Sequence, residues 1–167
     1  MKRLVPLVAA FALLVPWQQA RADDAHADLA VRRITPTVTA AHPGDRVVFR
    51  VVGQDLGPSS VDSSIDVSYI AYGRPHPRPP VNLRVIEVDC FTQGFGTPPD
   101  VSSDGAVCEF GGVPAGTKVW VKVVAVVRLQ ANQPADRATI RFCASNETGV
   151  RDPNPSNDCR TTHIDII

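Results

Sequence analysis

Lys118-Val119-Trp120-Val121-Lys122-Val123-Val124-Ala125-Val126-Val127-Arg128-Leu129 alternates side-chain character residue by residue. Val119, Val121, Val123, Ala125 and Val127 share one face, and Lys118, Trp120, Lys122 and Arg128 share the other. Period two is the spacing of a β-strand with one buried and one wet face. Val124 and Val126 interrupt the wet face, so part of it is expected to be covered. Residues 46–52 repeat the pattern, with Val47, Phe49 and Val51 inward and Arg46 and Arg50 outward. Residues 65–71 set Ile65, Val67, Tyr69 and Ala71 against Asp66 and Ser68. Residues 82–90 change phase: Leu83 and Val85 lie on one face, Ile86, Val88 and Cys90 on the other, which predicts a bulge near Val85–Ile86.

Segments 29–34, 106–110, 137–144 and 160–166 bring the total to about eight short strands with no helical period between them. The fold class this implies is all-β, an immunoglobulin-like antiparallel sandwich of about seven or eight strands. Its turns are marked by His42-Pro43-Gly44-Asp45, Gly57-Pro58 and Val113-Pro114-Ala115-Gly116. Gly73-Arg74-Pro75-His76-Pro77-Arg78-Pro79-Pro80 reads as a stiff, extended connector. There is no internal repeat, so one domain is expected.

The chain opens with Lys2 and Arg3, a short apolar run to Val15, and Ala20-Arg21-Ala22. This is the layout of a cleaved leader, its apolar run too short for a membrane span of roughly 20 residues. The expected organisation is a signal peptide at 1–22, a short acidic lead-in at 23–27 and a single domain at 28–167. The whole chain balances 17 Lys/Arg against 17 Asp/Glu. Removing Lys2, Arg3 and Arg21 leaves a mildly acidic remainder with interspersed charges. No nucleic-acid partner and no integral membrane segment are expected, and the mature protein is expected to be secreted or at the cell surface.

An even number of cysteines behind a leader reads as a disulfide framework. Three pairings of Cys90, Cys108, Cys143 and Cys159 are possible, and the nearest-neighbour one is expected. In 137–144, Ala138, Ile140 and Phe142 point inward, so Cys143 points outward. In 159–166, Thr162, Ile164 and Ile166 point inward, so Cys159 points outward. If the two sit opposite each other, Arg141 faces Thr161, Thr139 faces His163 and Arg137 faces Asp165, the last pair being of opposite charge. Cys90 and Cys108 then close a second loop. Four thiolates on zinc do not fit, because no Cys-x-x-Cys pair exists and export favours oxidation.

Asp28-Leu29-Ala30-Val31, Pro43-Gly44-Asp45-Arg46-Val47-Val48-Phe49 and Leu56-Gly57-Pro58-Ser59 together resemble the opening of a bacterial surface-repeat domain, the conserved-repeat domain of unknown function eleven. That family is related to the bacterial cell-adhesion-related (CARDB-like) domains. Val107-Cys108-Glu109-Phe110, Val113-Pro114-Ala115-Gly116-Thr117 and Asp152-Pro153-Asn154-Pro155-Ser156-Asn157-Asp158 continue the likeness. The resemblance implies an immunoglobulin-like sandwich outside a bacterium, with no catalytic residues. This chain departs from the pattern in standing alone rather than in tandem and in carrying an insertion at 69–80. It also lacks two marks of antibody domains: no cysteine pair is expected across the sheets, and no tyrosine stands two residues before Cys143.

Asp152, Asn154, Asn157 and Asp158 are weak calcium candidates, because they offer hard oxygens at close spacing. Pro153 and Pro155 favour a structural turn instead. His26, His42, His76 and His163 form no ligand pair, and Asn146-Glu147-Thr148 matches a glycosylation acceptor. No nucleophile elbow is present, so no enzyme, no catalytic residue and no cofactor is expected. The candidate binding loops are 73–80, with Arg74, His76 and Arg78, and 91–104, with Phe91 and Phe95. Trp120, on the nominally wet face, is expected to be covered by an insertion or a partner. The function these features support is a non-catalytic binding, adhesion or structural module whose partner is a protein or glycan at the cell surface. The alternative is a small-molecule carrier or inhibitor, with a deep apolar cleft lined by Phe91, Phe95 or Trp120.

Overall fold

A computed structural model describes residues 26–67, 81–91, 100–102, 105–146 and 150–167. The expected leader, the connector with Arg74, His76 and Arg78, Phe95, and Glu147 and Thr148 of the glycosylation-acceptor match lie outside the described residues. So does the part of the expected 65–71 strand beyond Val67.

The described chain is an all-β sandwich. Its strands are β1 (Leu29–Pro36), β2 (Ala40–Ala41), β3 (Arg46–Asp55), β4 (Val61–Val67), β5 (Leu83–Phe91), β6 (Asp100–Ser102), β7 (Gly105–Val113), β8 (Lys118–Val127), β9 (Arg137–Asn146) and β10 (Cys159–Ile166). One sheet has the order β1-β3-β8-β5 and the other β2-β10-β9-β4-β7-β6. Pairing is antiparallel except at one rim, where β2 runs parallel to β10. The chain changes sheet at most connections; only β6–β7 and β9–β10 stay within one sheet.

The expected faces of β3 and β8 are the observed ones. Val47, Phe49, Val51, Val119, Val121, Val123, Ala125 and Val127 are all buried between the sheets. Phe49 of β3 meets Phe142 of β9 across the core, ring centres 6.2 Å apart and tilted by 53°. β5 contains the anticipated bulge, between Val85 and Glu87. The extra residue, Ile86, turns to solvent. Val88 and Cys90 thereby return to the core side shared by Leu83 and Val85. A second bulge interrupts β1 between Val31 and Arg33.

β4 begins earlier than its hydrophobic pattern suggests. Val61-Asp62-Ser63-Ser64 is poor in strand-forming residues, yet β4 sits inside the six-stranded sheet with partners on both sides, β7 and β9. Pairing on two edges overrides weak local propensity.

The β9–β10 ladder has the register argued from face parity. Cys143 faces Cys159, Arg141 faces Thr161, Thr139 faces His163 and Arg137 faces Asp165. Cys143 and Cys159 are bonded, with Cα atoms 4.1 Å apart. Cys90 and Cys108 are bonded at 5.7 Å, and here the expectation of no inter-sheet pair is corrected. Cys90 belongs to β5 of the four-stranded sheet and Cys108 to β7 of the six-stranded sheet, so this bridge ties the two layers. Face parity shows which way a cysteine points but not which sheet it belongs to.

Two polar residues are buried by design of the corners. Asn82, at φ 55°, donates from Nδ2 to the carbonyls of Pro134 and Arg137 and accepts from the Gln130 N–H. It thereby clamps the loop that joins β8 to β9. Asp55, at the end of β3, accepts from the Gly57 N–H. The turn before β8 needs a positive φ at its third residue, and Gly116 supplies 78° there.

Candidate functional site

The outer face of the four-stranded sheet concentrates the chemistry that the described residues leave open. Its membership follows from register. Val52 of β3 pairs with Trp120 of β8, and Trp120 pairs with Phe91 of β5. Arg33 of β1 pairs with Val52 on the other side. One row across the sheet therefore reads Arg33, Val52, Trp120, Phe91. The next row reads Thr35, Arg50, Lys122, Asp89. Beyond these, Gln54 pairs with Lys118 at one end, and Arg46, Val126 and Arg84 lie in line at the other.

Trp120 is 40% exposed and Phe91 51% exposed. They are cross-strand neighbours in register on this face. Phe91 belongs to β5 rather than to a loop, which corrects its expected setting. Val124, on the same face, is only 7% exposed, flanked by Val48 and Val126.

The charge on this face is lopsided. Arg33, Arg46, Arg50, Arg84, Lys118 and Lys122 stand on it, against Glu87 and Asp89. Lys122 Nζ lies 2.9 Å from Glu87 and 2.7 Å from Asp89. Hydrogen bonds to Asp89 first and Glu87 second raise the Lys122 pKa and keep its ammonium charged. Both acids of the face among the described residues are thus engaged by one lysine. Among the described residues, Arg33, Arg50 and Lys118 have no ion-pair partner.

A shallower feature lies over the six-stranded sheet. A groove of about 590 Å³ is bordered by Val81, Gln133, Pro134, Asp136, Arg137, Thr139, Arg141 and Thr161. Arg137 lies 3.8 Å from Asp165, and Val81 bridges Thr139 at the groove edge.

The calcium candidates lie at a third place, the corner where the 150–158 loop meets β1. Asp152 accepts there from the N–H groups of Leu29 and Asn154. Asn154 Oδ1 accepts from the Ser156 hydroxyl, and Asn157 donates from Nδ2 to Asp28. The Asp158 carbonyl accepts from the Ala144 N–H. No group of three His, Cys, Asp or Glu side chains among the described residues is arranged to hold a metal ion. Asp55 completes the corner. It is 1% exposed, and its Oδ2 makes no hydrogen bond. Burial above all raises its pKa, with the charges of Asp28 and Asp152 adding to the effect and the N–H groups of Gly57 and Asp28 opposing it.

The His26 N–H donates to the Ser59 hydroxyl and the His26 carbonyl accepts from the Ser59 N–H, and Ala27 beside it joins the core. His42 caps the turn before β3 with Asp45, and His163 stands exposed on β10. Arg33, Arg50 and Lys118 went unnoticed as site residues. Alternation places Arg50 and Lys118 on outward faces, but Arg33 shares the parity of buried Leu29 and Val31 and reaches the outer face only through the bulge in β1; strand order then gathers the three around Trp120.

No protein-family model matches the chain, and no curated protein matches it in sequence. Solved structures resemble its fold. A CARDB domain of the PF1109 protein from Pyrococcus furiosus, in complex with di-metal ions, is 14% identical over 84% of this chain and 89% of that one, with a TM-score of 0.46. The collagen-binding subdomain ACE19 of an Enterococcus faecalis surface protein is 13% identical over 80% and 94%, with a TM-score of 0.42. The alkylpurine DNA glycosylase AlkC of Pseudomonas fluorescens, bound to DNA, is 10% identical over 84% of this chain and 30% of its own, with a TM-score of 0.40.

Proposed function

We propose that the protein is an exported, non-catalytic immunoglobulin-like module that binds a partner outside the cytoplasm through the outer face of its four-stranded sheet. The observation that carries this is the exposed Phe91–Trp120 pair on the outer face of a paired sheet. Large aromatic side chains left half in water on a scaffold that could bury them mark contact surfaces. Two disulfides suit an oxidising compartment, and the leader-like first 22 residues suit export. The carrier alternative calls for Phe91, Phe95 or Trp120 inside a cleft; Phe91 and Trp120 both stand exposed, which weighs against it, and Phe95 lies outside the described residues.

The test is expression of the full chain with its own leader in a bacterial host, followed by fractionation and mass mapping without reduction. The expected product starts at Asp23, lies outside the cytoplasm and holds both bridges. A reduced, uncleaved cytoplasmic product would sink the reading.

A further inference from the structure

We infer that the outer face of the four-stranded sheet is a binding platform for an acidic polysaccharide, with the ring of Trp120 stacking on sugar and Lys118, Arg50 and Arg33 engaging its carboxylates or sulfates. The inference rests on the extracellular reading above and names the class of ligand for the same face.

Three features of the face point to this ligand. The first is shape. Trp120 and Phe91 lie side by side on an open pleated surface, so an extended polymer can lie across the strands. Aromatic rings with a free face stack on the C–H face of a pyranose by dispersion and by the ring's negative π cloud.

The second is the charge lattice. Lys118 is two residues from Trp120 along β8, Arg50 is on the diagonal in β3, and Arg33 is two strands away in the Trp120 row. Neighbouring strands are about 4.8 Å apart and alternate residues along a strand about 7 Å apart. Cations therefore recur around the ring at roughly the length of a sugar unit, which suits a polymer with one anionic group per sugar.

The third is electrostatic complementarity. Among the described residues, the acids on this face are Glu87 and Asp89, and both are drawn to Lys122 at the β5 edge, leaving the described ground around Trp120 positive. Guanidinium groups on this ground can take carboxylate or sulfate two-pronged.

A probe is already built into the chain. It has two tryptophans, Trp17 and Trp120, and Trp17 lies in the leader, so the processed protein reports from the platform alone. The protein is exported with its own leader and purified oxidised. It is then titrated with alginate and heparin as acidic polysaccharides, and with dextran, a duplex DNA oligomer and phosphatidylglycerol vesicles as competitors for the assignment. Alginate or heparin is expected to shift Trp120 emission, with an affinity that falls as salt rises. In affinity gels, Trp120→Ala and the pair Arg33→Glu/Arg50→Glu are each expected to weaken retention about tenfold or more, a loss of at least one stacking or ionic contact. Trp120→Phe keeps a ring and is expected to retain most binding, which separates loss of stacking from loss of fold. Arg160→Glu, on the exposed surface of β10 in the other sheet, is expected to leave retention unchanged.

Equal retention by dextran would remove the charge component. Equally tight binding of DNA or vesicles through the same residues would overturn the polysaccharide assignment. No binding of either acidic polymer, or indifference to the Trp120 and arginine changes, would overturn it outright. An exported, disulfide-bonded protein that fails these titrations would leave the module reading standing and strike only the ligand class.

Discussion

Asp55 and Asn82 show how differently a buried polar group can be accommodated. Asn82 uses three side-chain hydrogen bonds to hold the β8–β9 loop, and its φ of 55° suits asparagine better than most residues. Asn82→Ala is expected to cost about 2 kcal/mol or more, because the carbonyls of Pro134 and Arg137 lose their donor. Asn82→Asp should be worse at neutral pH, since it turns an acceptor towards those two carbonyls. Urea unfolding midpoints rank the variants, and an unchanged midpoint for Asn82→Asp would refute the clamp. Asp55 keeps one oxygen without a hydrogen bond. Its native pKa lies above the ordinary 3.8, so the folded state holds this proton more tightly than the unfolded chain. Its contribution is least unfavourable below 3.8 and worsens as pH rises through the raised native pKa. Asp55→Asn removes the buried charge and keeps the acceptor for Gly57. It is expected to stabilise the protein at neutral pH by about 1 kcal/mol, with the advantage shrinking on acidification. A loss of stability at neutral pH would contradict this account. Gly57 is confined for another reason: a Cβ there would lie 2.6 Å from the His26 carbonyl oxygen and 2.7 Å from the Asp28 nitrogen. Gly57→Ala must therefore push two backbone segments apart and is expected to lower the melting temperature.

The β9–β10 hairpin joins two kinds of restraint, a strand ladder and a disulfide. The Cys143–Cys159 bridge spans 16 residues, and loops of that size lose about 3 kcal/mol of chain-entropy stabilisation when opened. The loop between them is docked on β1: the Leu29 N–H donates to Asp152 and the Val31 N–H to the Asn157 carbonyl. Replacing both cysteines with serine is expected to lower stability by roughly that amount. It should also speed hydrogen exchange at Leu29 and Val31 while the centre of β8 stays protected. Uniform loss of protection would mean that the loop and β1 unfold only with the whole domain. Cross-strand pairing remains in this variant, since the register is also set by alternation and by Arg137 facing Asp165.

At the scale of the molecule, the Cys90–Cys108 bridge performs a different task, because it ties β5 to β7 across the sandwich. Cys108 is fully buried and Cys90 packs against the core. Replacing both with alanine is expected to cost about 3 kcal/mol of chain entropy plus the loss of sulfur packed in the core between the sheets, more than the serine pair in the β9–β10 hairpin. Parallel thermal melts of the two double variants check the order, and a reversed order would place the main restraint in the hairpin. Much of this architecture was legible in the chain itself. Alternation in 118–127 and 46–52 reported the buried faces, the phase slip at Val85–Ile86 reported the bulge, and parity in 137–144 and 159–166 reported the β9–β10 register. These signals are local: period two is imposed by the pleat, and a hairpin pairs neighbours in sequence. What tertiary structure alone decided is which distant strands became partners. It put the serine-rich β4 inside a sheet, sent Cys90 and Cys108 to opposite layers, and set Phe91 beside Trp120 among Lys118, Arg50 and Arg33. Strand order in a sandwich whose chain repeatedly changes sheet comes from long-range burial and pairing, to which no short window of residues is sensitive.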